Sequence, residues 1–171
     1  MVYGSAAYSG PPSYLRVNFE LLLSEILNEY LIIRDYEAGL LRDSGVGAII
    51  GREGLELGMG ELADLIDKWG GFFSDYPYTF PFNLKARENA ELIMDVFIGR
   101  TQQVPSPVYN ETDSSLRQEA KEAYLKFLSE YRKSPYFDII KELYILLESN
   151  SFIFNSDVEE FLQRVDYSVY R

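Results

Sequence analysis

Glu53 and Glu56, then Glu61 and Asp64, stand three residues apart, the spacing that puts two carboxylates on one face of a helix. Glu25 with Glu29, Glu88 with Glu91 and Glu119 with Glu122 share that kind of spacing. Carboxylates are hard oxygen ligands, and a buried pair raises one member's pKa and attracts a divalent ion. A Mg²⁺-dependent all-α hydrolase is therefore the catalytic alternative, with Glu53, Glu56, Glu61 and Asp64 as its metal ligands. Its two pairs are separated by four residues, too few to clamp an ion between two helices. Pairs of this kind also arise freely on the solvated faces of acidic helices, so the primary expectation is no metal and no cofactor.

Other chemistries are excluded by residue type. The chain has no His and no Cys, which removes thiol nucleophiles, thiolate zinc sites, disulfides and Ser-His-Asp triads. No unperturbed side chain titrates between pH 5 and 8, so a general base would have to be a shifted carboxylate or lysine.

Residues 45–62, GVGAIIGREGLELGMGEL, raise a second question, since glycines can cradle a phosphate. A dinucleotide fingerprint needs G-x-G-x-x-G after a buried strand, whereas Gly45, Gly47 and Gly51 follow a helical pattern with one residue too many. A phosphate loop needs Gly-Lys-Ser/Thr, and no lysine lies between Met1 and Asp67. Gly47, Gly51, Gly54 and Gly58 step by four, three and four, which places them on one face if the segment is helical. That spacing predicts close helix packing, with an irregular segment turning at its glycines as the alternative.

The chain has 27 acidic and 16 basic residues, a net charge of −11. Nucleic-acid binding rests on Lys and Arg neutralising phosphates, so neither nucleic acid nor an anionic membrane surface is an expected partner. Residues 14–69 carry 11 acidic and 5 basic groups, which makes the first half the expected dock for a basic protein. Phe72, Phe73, Tyr76, Tyr78, Phe80 and Phe82 supply the aromatic anchors, read as a proline-containing loop that binds a partner or folds as a lid. The expected function is a non-catalytic acidic protein-binding module of the inhibitor, immunity or adaptor kind, or a self-associating oligomer. No signal peptide is legible at the start, and a cytoplasmic location is expected.

The elements that must position these groups read as all-α, a single-domain bundle of five to six helices with an aromatic and proline-rich loop. Residues 1–13 read as a flexible arm and 14–171 as one helical domain, with a linker-like break at 104–113. Phe19, Leu23, Ile26, Tyr30, Ile33 and Leu40 give a long helix over 14–43, expected at the centre. The paired glycines Gly70-Gly71 are expected to close a short helix. Helices follow over 84–103, from Ser114 or Asp113 to Lys133, behind Ser134-Pro135, and behind a capping box at Ser156. Only VGAII and SFIF offer short strands.

Overall fold

The computed structural model describes residues 14, 24–43, 50–51, 54–55, 57–76, 83–100 and 106–167. Six helices lie among them: α1 (Glu25–Asp43), α2 (Met59–Asp75), α3 (Asn83–Ile98), α4 (Gln118–Glu130), α5 (Phe137–Ser149) and α6 (Ser156–Arg164). A two-residue antiparallel ladder, β1 (Ile50–Gly51) with β2 (Gly54–Leu55), precedes α2. The class is all-α, as the periodicity predicts, and the expected arm at 1–13 lies outside the described residues.

The centre is α2, not the helix over 14–43. It packs against α1, α3 and α4, while α5 packs on α4 and α6 on α5. Leu62, Ala63, Leu65, Ile66, Trp69, Phe72 and Phe73 cover one broad side of it and are all buried. Each large apolar side chain among them contributes about 1.5–3 kcal/mol on burial. Among the described side chains of α1, Leu31, Ile33 and Glu37 are buried; Ile33 and Glu37, four apart, share one face, and Ile33 joins the main core while Leu31 lies outside that cluster. Glu37 reaches α3, where Asn89 Nδ2 donates to it at 3.4 Å, and Arg34 Nη1 donates at 2.6 Å. Burial raises the Glu37 carboxyl above its ordinary pKa, against the opposing pull of Arg34 and Asn89.

The glycine expectations need correction. Gly51 and Gly54 pair with each other across the ladder, and Gly58 is the N-cap of α2, so these three do not form a helical stripe; Gly47 lies outside the described residues. Gly70 and Gly71 do not close a helix either, since α2 runs on to Asp75. Close approach occurs at Gly70 instead, where a Cβ would stand 2.9 Å from Pro135 Cγ and Cδ and 3.1 Å from Tyr136. Phe72 and Phe73 thus belong to a helix, with Trp69 stacked on Phe73 at 5.7 Å.

Helix ends shift as well. α3 stops at Ile98, not near Gln103, because Gly99 takes φ +78° and its N–H and that of Arg100 bond the carbonyls of Val96 and Asp95. α4 starts at Gln118, and α5 at Phe137 rather than at Pro135. Residues 109–116 are drawn instead into bridges, Tyr109 with Leu116 and Ser115 with Ile153. Val108 and Tyr109, inside the expected break, are buried in the core. The cap of α6 is Asn155, one residue before the expected Ser156, and its side chain accepts from the N–H groups of Asp157 and Val158 at 3.1 Å.

Candidate functional site

α1 and α2 run antiparallel. Tyr36, late in α1, donates its hydroxyl to Asp64 early in α2 at 3.4 Å, Tyr30 meets Trp69 and Phe72, and Glu25 meets Tyr76 at the far end. Between them lies a surface groove of about 470 Å³, lined by Glu25, Glu29, Ile32, Ile33, Lys68, Gly71, Phe72, Asp75 and Tyr76. Helical spacing explains the lining. Residues 25, 29, 32 and 36 fall on one face of α1, and 68, 72 and 75 on one face of α2.

The floor is apolar, from Ile33 and Phe72, and the rim is acidic, from the exposed Glu25, Glu29 and Asp75. None of these three carboxylates has an ion pair among the described residues. The negative potential they create is registered by Tyr76. Its phenol is raised above the ordinary value, first by desolvation and then by Glu25, Glu29 and Asp75. Lys68 is the one cation of the lining, and its Nζ stands 4.6 Å from the centre of the Tyr36 ring. It occupies the Tyr36 end of the groove, two helical turns from Asp75.

The two predicted metal ligands among the described residues are otherwise engaged. The Glu61 carboxylate accepts the Gly58 N–H at 2.8 Å, so it caps the N-terminus of α2. Asp64 is half-buried and accepts from Lys126 Nζ and from the hydroxyls of Tyr131 and Tyr36. It joins α1, α2 and the end of α4. Burial first, and Asp64 next, hold the Tyr131 phenol well above its ordinary range. Glu53 and Glu56 lie outside the described residues, and among the described ones no three acidic side chains gather closely enough to hold a metal ion.

Of the predicted aromatic anchors, Phe72 and Phe73 are core residues 4% and 3% exposed, so Phe73 is no surface anchor and Phe72 serves as floor. Tyr76 is half-buried at the mouth of the groove, while Tyr78, Phe80 and Phe82 lie outside the described residues. Glu29 and Asp75 gain meaning only from the pairing of α1 with α2. The spacing of 25 with 29 and of 68 with 72 and 75 is visible in the sequence, but the pairing that brings these faces together is not. The chain matches no protein-family model, no curated protein and no solved structure. No helix of the described residues is long and apolar enough to cross a membrane.

Proposed function

We propose that the protein is a non-catalytic binding module that docks a basic segment of another protein in the groove between α1 and α2. The observation that supports it is the combination of an apolar floor with three exposed carboxylates that have no counter-charge of their own save Lys68 at one end. Lysine or arginine side chains of the partner would meet Glu25, Glu29 and Asp75, and their aliphatic stems would cover Ile32, Ile33 and Phe72. Charge at the rim speeds encounter and selects partners, while the apolar floor supplies the area that lowers the off-rate.

Titration calorimetry with a lysine- and arginine-rich peptide tests this. Binding should weaken steeply as salt rises, and the triple variant E25Q/E29Q/D75N should lose most of it. Salt-insensitive binding, or a triple variant that binds as well as the parent, would overturn the proposal. Stabilisation by several degrees on adding Mg²⁺, abolished by the same triple variant, would assign the groove to a divalent ion and overturn the proposal.

A further inference from the structure

Lys68 deserves a role of its own. It is exposed, lies on the same face of α2 as Phe72 and Asp75, and lines the groove with Glu25 and Glu29. Its ammonium is drawn to the Tyr36 ring at 4.6 Å, a contact that keeps the charge at one end of the groove instead of letting it extend into solvent. We infer that Lys68 is a built-in competitor that sets the polarity of the occupant, admitting cationic side chains at the Tyr76 end and repelling them at the Tyr36 end. This rests on the groove being the docking surface proposed above.

The physical content is a gradient along a single groove. At the Tyr76 end an incoming guanidinium meets Glu25, Glu29 and Asp75. At the Tyr36 end it meets a like charge that is already held in place. Beyond Lys68, Asp64 is engaged by Lys126 and two phenols, and although its charge and that of Glu61 still reach Tyr36, the Lys68 ammonium is the charge that an occupant of the groove meets first. The fitting segment therefore carries its positive charges on one end and uncharged or acidic residues on the other. A uniformly cationic peptide fits less well than its total charge suggests.

Removing the Lys68 charge makes this measurable. K68M keeps an unbranched apolar stem, and Lys68 is solvent-exposed, so the fold is retained and melting curves verify it. K141M, at an exposed site on α5, makes the same change in net charge away from the groove. With an oligo-arginine probe at low salt, K68M should bind about three-fold or more tighter than the parent, the effect of one unit charge at several ångströms in a watery dielectric. K141M should show less than half that gain, and high salt should erase the difference.

If K68M gains no more than K141M while E25Q/E29Q/D75N still abolishes binding, the polarity assignment falls and the groove stands. If no variant binds, or the triple variant binds like the parent, both fall. Tighter binding by K68M where the parent shows none supports both.

Discussion

Two sets of carboxylates on and beside α2 behave as opposites. Asp64 is enclosed by donors from α1 and α4 and holds three elements together. Glu25, Glu29 and Asp75, two to three helical turns away, stand in solvent around an apolar floor, with the Tyr76 hydroxyl on Glu25 but no ion pair of their own among the described residues. Residue type is the same in both places, so function cannot be assigned from type. Surroundings decide whether a carboxylate fastens the fold or faces outward to a partner.

The contrast can be broken most forcefully at Asp64. Asp64→Ala removes the acceptor of the half-buried Tyr131 hydroxyl and leaves the Lys126 ammonium only the Gly60 carbonyl, at a cost of about 2 kcal/mol. Melting temperature should fall by about 4–8 °C, which calorimetry measures. E25Q/E29Q/D75N should instead leave the melting temperature within about 2 °C of the parent while abolishing salt-sensitive peptide binding. Equal thermal losses in the two variants would erase the distinction between them.

Alkaline titration sharpens the comparison. Burial, then Asp64, keeps Tyr131 protonated beyond the ordinary 10.0, so the folded state retains a proton that the unfolded chain releases. The linked stability is therefore constant below about pH 10 and falls above it. In Asp64→Asn the Tyr131 phenol, followed by ultraviolet absorbance, should ionise at lower pH without reaching the exposed value, since burial persists. Tyr76 should not respond to that change, and should shift down in E25Q/E29Q/D75N because those groups raise it after desolvation.

The smallest effect sets a scale outside both regions. Ser151, at φ +56°, occupies the left-handed position that ends α5, and the N–H groups of Ser151 and Phe152 bond the carbonyls of Glu148 and Leu147. Ser151→Gly should stabilise by up to about 1 kcal/mol in chemical denaturation, leaving peptide affinity unchanged.

That same turn shows what sequence could and could not reveal. The helical class and most helix cores were legible, because Ala120, Ala123 and Phe127, for example, repeat at helical intervals. α3 and α5 end in the same hydrogen-bond motif, yet one carries Gly99 and the other Ser151, so only the first end is marked by residue type. Gly58, Gly54 and Gly51 kept helical spacing by coincidence while serving as a cap and a tight ladder. The groove was half legible. Glu25 and Glu29 stood out as a pair and Asp75 did not, and the antiparallel pairing that sets Glu25 against Tyr76 depends on contacts far apart along the chain.

Gly70 and Gly71 are adjacent and chemically identical, yet one backbone touches Pro135 and the other has open space within 4 Å of where a Cβ would sit. A saturation library should accordingly accept a single letter at position 70 and a broad alphabet at 71. The second site is thus a place to append a reporter at the groove's edge without disturbing the helix that carries it.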